Sequence, residues 1–249
     1  MAELTGKVAL VTGGSRNIGR AIALALAEAG AAVAVNAKSS AAEAEAVAQE
    51  IVAAGGAAQA ILADVADEAE IARLVGATAQ RFGGIDILVN NAANRHEAPI
   101  GAMDFAAWRA TVALILDGAF LCTKACLPYL RRSPAASIVN IGGMTASTGA
   151  KLRAHVVAAK AGLEGLTRAL ALELAADGIT VNCVAPGLID TLRGKSAGSA
   201  DHHAGRVFPL GRRAPVAEVA AMVRHLCGGE ARFITGQVIH VNGGVYLGG

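Results

Sequence analysis

An α/β fold is predicted by this sequence: a doubly wound, seven-stranded parallel sheet flanked by helices on both faces. Three observations predict it. Short apolar runs alternate with amphipathic helical stretches along all 249 residues. The runs are continuously apolar rather than alternating, as expected of strands covered on both faces. The first run ends in a glycine-rich turn, Thr12-Gly13-Gly14-Ser15-Arg16-Asn17-Ile18-Gly19, which opens a helix rich in Ala and Leu.

Strands are expected near Lys7–Val11, Ala32–Asn36, Ala57–Leu62, Ile85–Asn90, Ser137–Ile141, Thr180–Val184 and Val238–Val241. Helices are expected near Asn17–Ala29, Ala41–Ala54, Glu68–Phe82, Phe105–Arg131, Ala154–Ala176 and Val216–Cys227. Such repeated alternation winds helices onto both faces of one sheet. No linker interrupts it, so residues 1–249 are expected to form a single domain. The least regular stretch, Arg193 to Arg213, is rich in Gly, Ser, Ala and His. It reads either as a mobile lid or as a disordered insertion.

Hydrophobic residues make up 54% of the chain and charged residues 17%. That supports a generous core. Aromatics are only 3% and Ala is abundant, which suits closely packed helices. A net charge of +2 makes no electrostatic case for nucleic acid. No uninterrupted apolar run reaches membrane-spanning length, and the chain enters a strand with no room for a signal peptide. Cys122 and Cys126 are spaced i, i+4; Cys183 and Cys227 stand alone. Without metal-ligand spacing, these read as buried thiols in a reducing cytoplasm.

The first turn carries chemistry. Gly13 removes a side chain where the backbone must turn tightly, and Gly19 lets the new helix lie close to the strand. The helix N-terminus then offers N–H groups and a positive dipole end to an anion. This is how a dinucleotide-binding, or Rossmann, fold begins. Cofactor choice is read at the end of the second strand, Val35-Asn36-Ala37-Lys38-Ser39-Ser40. No carboxylate stands there to hold ribose hydroxyls. Lys38 and Arg16 can reach a 2′-phosphate and Ser39 can donate to it, which favours NADP(H) over NAD(H). The plainer alternative is two solvated surface charges.

Taken together, these motifs resemble the short-chain dehydrogenase/reductase family over nearly the whole length. The first turn is similar to the family's TGxxxGxG, with Asn17 at the middle Gly; Asn tolerates unusual backbone angles. Asp64-Val65 resembles the pair that contacts adenine. Asn90-Asn91-Ala92-Ala93 resembles NNAG, with Ala93 for the last Gly. Pro186-Gly187-Leu188-Ile189-Asp190-Thr191 resembles the segment that clasps the nicotinamide carboxamide. Thr235-Gly236-Gln237 to Asn242-Gly243-Gly244 resembles the family's C-terminal strand. The resemblance implies cofactor contacts from Gly13, Ser15, Arg16, Asn17, Ile18, Gly19, Lys38, Ser39, Asp64, Val65, Asn91, Ala92, Ala93, Lys160, Pro186, Gly187, Ile189 and Thr191.

The resemblance breaks at the reacting centre. Relatives use an Asn–Ser–Tyr–Lys set, in which a phenol protonates the reacting oxygen beside a lysine. Lys160 stands at the lysine position. Val156 stands one helical turn earlier, at the tyrosine position. Gly143 stands at the serine position and Ile115 at the asparagine position. The only tyrosines are Tyr129, placed away from the site, and Tyr246, near the C-terminus, where it could approach a neighbouring subunit's site. His155 suits proton transfer near neutrality. It points roughly 100° from Val156 around the helix, so it needs a register change or a water to reach substrate. A packed or capping His is the alternative. Arg95-His96-Glu97, Lys151 and Arg153 either receive an acidic or phosphorylated substrate, such as a thioester of coenzyme A, or are ordinary loop charges. Thr145, Ser147 and Thr148 supply hydroxyls near Gly143. His202 and His203 read as solvated, being a poor metal site without partners.

The expectation is an NADP(H)-dependent oxidoreductase resembling 3-oxoacyl-carrier-protein reductases but with an altered proton donor. Lys160 would hold the ribose and supply charge, and His155 or a water would deliver the proton. The substrate would be a carbonyl, an imine or a conjugated thioester, the last by resemblance to tyrosine-free dienoyl-thioester reductases, which keep a serine. The alternative is a non-catalytic NADP(H)-binding sensor or partner subunit; an ordinary carbonyl reductase using remote groups is a weaker third. The resemblance also implies a homotetramer built on the helices Trp108–Leu130 and Ala154–Ala176 and the last strand. Plain core packing would explain the same apolar faces.

Overall fold

A computed structural model describes residues 2–192 and 209–248. Seven strands form one parallel sheet: β1 (Val8–Val11), β2 (Ala32–Ala37), β3 (Ala58–Leu62), β4 (Ile87–Asn90), β5 (Ser137–Ile141), β6 (Thr180–Pro186) and β9 (Val238–Val241). Their order is β3-β2-β1-β4-β5-β6-β9. A two-stranded ribbon pairs β7 (Ile189–Asp190) with β8 (Ala214–Pro215). The chain reverses its direction of travel between β1 and β4, where Leu10 lies between Ala34 and Leu88. Such a switch point opens a crevice at the carboxyl ends of the strands.

In the central strands β1, β4, β5 and β6 each residue is buried, whichever way it points, while the edge strands β3 and β9 are mostly half-buried. Ala9, Val11, Val33, Val35, Ile87 and Val89 pack with α1 (Asn17–Glu28), α2 (Ala41–Ala53) and α8 (Val216–Cys227) on one face. Leu10, Ala34, Leu88 and Ile138 point the other way, into a core shared with α3 (Glu68–Phe82) and α5 (Gly118–Leu130). Alternate residues of one strand therefore serve two cores. Asp67 caps α3 by accepting from the Ala69 and Glu70 N–H groups at 2.9 Å, and Gly83 ends it at φ 90°.

The expected helix near Phe105–Arg131 is a composite. α4 (Phe105–Val112) passes into a π segment (Ala113–Asp117) and then α5. At Gly118 a Cβ would stand 2.8 Å from the Val65 carbonyl, so Gly lets the helix approach that loop. The 26 residues Phe105–Leu130, with a mean hydropathy of 1.6 over an 18-residue window, are long and apolar enough by composition to cross a membrane. The sequence expectation concerned uninterrupted apolar runs, and Arg109, Asp117 and Lys124 interrupt this stretch. Cys122, Cys126 and Leu130 on it are fully buried against the sheet.

Short α6 (Thr145–Thr148) and the β7–β8 ribbon have no counterpart in the periodicity of the sequence. α7 (Ala154–Glu173) stops before Ala176, and a 3-10 turn (Ala175–Asp177) follows. Of the expected loop Arg193 to Arg213, residues 193–208, with His202 and His203, lie outside the described residues. All four cysteines are free and buried. Burial pushes the thiols of Cys122, Cys183 and Cys227 up to about 12. The described residues contain no cluster of side chains suited to a metal.

Candidate active site

The carboxyl ends of the central strands open into a cleft of about 670 Å³. Every residue to which the sequence assigns a cofactor contact lines it. At its floor, the turn after β1 is built from unusual backbone: Gly13 has φ 60° and Asn17 φ 50°. A Cβ on Gly19 would stand 2.2 Å from the Gly13 carbonyl oxygen, so only Gly fits. Two residues that sequence reasoning passed over hold the turn. The Thr12 hydroxyl accepts from the Asn91 and Ala92 N–H groups at 2.9 and 3.1 Å. Asn36 accepts from the Gly13 N–H at 3.3 Å and donates to the Ile61 and Ala63 carbonyls at 3.2 and 3.0 Å. An amide side chain inside an otherwise apolar strand was the available signal for Asn36, because a buried polar group must find partners. Just after β4, Asn91 donates to both the Thr12 and Gly13 carbonyls at 2.9 Å.

At one end of the cleft lie Arg16, Lys38, Ser39 and Asp64. Lys38 Nζ stands 2.6 Å from Asp64, and the lysine side chain is largely exposed. Burial pushes the Asp64 carboxyl up, but hydrogen bonds from Lys38 and the Ala66 N–H, with the lysine charge, outweigh it and hold it below the usual range. The same hydrogen bond raises the Lys38 ammonium. The sequence assigned these two residues separate tasks, and the structure joins them as a pair. Strand-end proximity of β2 and β3 brings them together, which linear spacing does not reveal.

At the other end lie Arg95, His96, Gly143, Thr145, Arg153, Val156 and Lys160. Lys160 is buried and donates to the Ile141 carbonyl. Burial brings its ammonium down to about 8, with Arg95 and Arg153 adding to the effect and Cys183 opposing it. A Cβ on Gly143 would meet only the Thr145 hydroxyl, at 3.9 Å, so packing does not demand Gly there. Ile115 does not reach the main cleft. It lines a neighbouring void of about 10 Å³ with Thr12, Asn90 and Lys160.

His155 departs from its expected place. It is fully buried, is not part of the cleft wall, and has no hydrogen bond at either ring nitrogen. Its ring stands edge-on to His96, centroids 6.4 Å apart. Burial, then the charges of His96 and Arg153, lower its pKa. A neutral imidazole without access to the cleft is no proton donor to a substrate there. The reason is rotational: Val156 takes the cleft-facing position of that helical turn. Tyr129 stacks under Arg132 at 4.9 Å and Tyr246 packs against His240 at 4.9 Å; neither lines the cleft. Lys151, Glu97, Ser147 and Thr148 are also absent from its wall.

The segment after β6 is tied across the cleft from two sides. Arg95 donates to the Thr191 hydroxyl at 2.8 Å. Asn17 donates to the Leu192 carbonyl at 3.0 Å and accepts from the Leu192 N–H at 2.9 Å. Asn17, where the resemblance expects Gly, thus spans the cleft mouth as well as tolerating its backbone angle.

Comparison with known proteins places this geometry. A family model described as enoyl-(acyl carrier protein) reductase matches residues 13–246. The 3-oxoacyl-[acyl-carrier-protein] reductase of Synechocystis is 41% identical over 248 residues, covering 99% of this chain and all of that protein. The corresponding Staphylococcus aureus reductase is 40% identical over 97% of this chain and 98% of its own. A dehydrogenase/reductase from Sinorhizobium meliloti superposes with a TM-score of 0.91 at 36% identity, covering 99% of this chain and 97% of its own. A blue fluorescent protein from a metagenomic library, solved in complex with NADPH, superposes with a TM-score of 0.89 at 36% identity, covering 98% of this chain and all of that one.

Proposed function

The chain belongs to the short-chain dehydrogenase/reductase family, and we propose that it is an NADP(H)-dependent oxidoreductase that protonates its substrate without a phenol. The first turn suits a dinucleotide, since a Cβ at Gly19 would close the approach between turn and helix. In this reading Gly13, Ser15, Ile18 and Gly19 cradle the diphosphate. Arg16, Lys38 and Ser39 receive the 2′-phosphate, with Lys38 turning from Asp64, an exposed pair worth little by itself. Asp64 and Val65 border the adenine, Asn91 to Ala93 and Lys160 the ribose, and Pro186 to Thr191 the carboxamide. Bound NADPH supplies the hydride.

Lys160 carries the proposal. We read Val156 and Gly143 as standing where relatives carry tyrosine and serine, which leaves Lys160 as the buried titrating group of the cleft wall. With its pKa brought to about 8, most of it carries a proton at neutral pH. The Ile141 carbonyl positions the ammonium. It can give that proton to a reduced oxygen, nitrogen or carbon and recover one from solvent. A 3-oxoacyl thioester, an imine and a conjugated thioester are the substrate classes in view, the first from the likeness to carrier-protein reductases. Val156 and Gly143 also support a second reading, a protein that binds NADP(H) without turnover.

Fluorescence titration with NADPH and NADH tests the cofactor. Consumption of NADPH with 3-oxoacyl thioesters, enoyl thioesters and imines then tests the chemistry. Tighter binding of NADPH, and turnover that Lys160→Met abolishes, are expected. Equal affinity for NADH overturns the roles of Arg16 and Lys38. Tight NADPH binding without turnover on any class supports the second reading.

A further inference from the structure

The cleft has an electrostatic asymmetry. Asp64 is the sole Asp or Glu among the described residues of its wall, and it is paired with Lys38 at the adenosine end. Arg95, His96, Arg153 and Lys160 cluster at the opposite end. Arg153 is 8% exposed, yet it is one of the residues that line the cleft. Guanidinium groups do not shed their proton, so this end of the cleft remains cationic at any working pH. Lys160 reports how near these charges are: both Arg95 and Arg153 depress its ammonium.

Helix α7 adds to this. Arg153 is its N-terminal cap residue, and the first turn holds no acidic side chain. The positive end of a 20-residue helix therefore meets the same end of the cleft. Lys151, equally cationic and two residues away, is exposed and outside the wall. Folding has selected Arg153 from the run of basic residues and turned it inward.

We propose that Arg153, supported by Arg95, recognises an oxyanion on the substrate, so that the molecule reduced beside Lys160 carries a carboxylate or phosphate close to its reducible carbon. This rests on the reductase reading above and names its substrate class. A fixed fork of donors suits either anion, and bidentate contact would orient the reducible carbon as well as bind it.

The test uses the NADPH-loaded protein and three probes. 3-Oxobutanoate carries a carboxylate, its methyl ester is the neutral counterpart, and dihydroxyacetone phosphate carries a phosphate. Binding is read as a change in NADPH fluorescence and as competition among the probes. At least one anion is expected to bind roughly tenfold or more tightly than the ester. Which anion does so separates carboxylate from phosphate. Arg153→Met should erase the preference while leaving NADPH affinity intact, Arg153→Lys should keep part of it, and Lys151→Met should change nothing. Retained NADPH affinity also shows that the Arg153 variants fold. NADPH binding with no anion preference, or a preference that survives Arg153→Met, overturns this inference alone. Parallel loss of NADPH affinity in Arg153→Met and Arg153→Lys assigns the arginine to the cofactor and overturns it too. Failure of the wild type to bind NADPH overturns the reductase reading and this one with it.

Discussion

Lys160 concentrates the conflict between stability and chemistry in one side chain. Its ammonium pKa is 10.5 in an unfolded chain and about 8 in the fold. Between those values the unfolded state binds more protons, so this group's contribution rises with pH and is least favourable below pH 8. A shift of this size corresponds to roughly 3 kcal/mol at neutral pH. Lys160→Met should therefore raise the melting temperature at pH 7 while abolishing turnover, and the gain should shrink in alkaline buffer. For the wild type, kcat should fall as pH rises through about 8, because the acid form is lost. Gly143 and Val156 make the complementary case. Open space at Gly143 accommodates a hydroxymethyl group, and Val156 already faces the cleft. Gly143→Ser combined with Val156→Tyr should raise reduction of simple ketones by about 100-fold over the wild type, measured as NADPH consumption.

Two elements show how local geometry settles roles that residue types leave open. In α7, rotation places Val156 and Lys160 on the cleft and turns His155 inward. His155 has a pKa below 6.5 in the fold, so the unfolded chain takes up its proton first as pH falls. Stability is then lost as pH drops below about 6.5, and His155→Leu should flatten that acid limb in thermal melts across about pH 5 to 7. Because the ring has no hydrogen bonds to lose, the variant should be no less stable at pH 7, and turnover should persist. The turn between β1 and α1 is less forgiving. Gly19→Ala would drive a methyl group into the Gly13 carbonyl. That costs about 2 kcal/mol or more, and NADPH affinity should fall more than tenfold in fluorescence titration.

For the whole molecule, exposed apolar side chains bear on assembly. Phe105 and Phe120 on the composite helix, Leu172 on α7 and Leu247 near the C-terminus are exposed large apolar side chains. Phe120 and Leu172 fall on the two helices through which the family resemblance implies a homotetramer, Phe105 lies one turn before the first of them, and Leu247 follows the last strand. Sedimentation equilibrium should give a mass about four times 24.9 kDa, and Phe105→Glu with Leu172→Glu should shift it to smaller species. The places of the strands along the chain, their apolar character and the cofactor turn were legible because each depends on a short-range pattern: an apolar run, a helical period, a glycine where no Cβ fits. Resemblance to the family's pattern likewise marked Lys160, Val156 and Gly143. Only the folded chain could decide that Lys38 pairs with Asp64, that Asn36 and Thr12 brace the turn, and that Arg153 rather than Lys151 enters the cleft. Those outcomes depend on which strand ends become neighbours and which way a helix is rotated, and neither is written in the local order of residues.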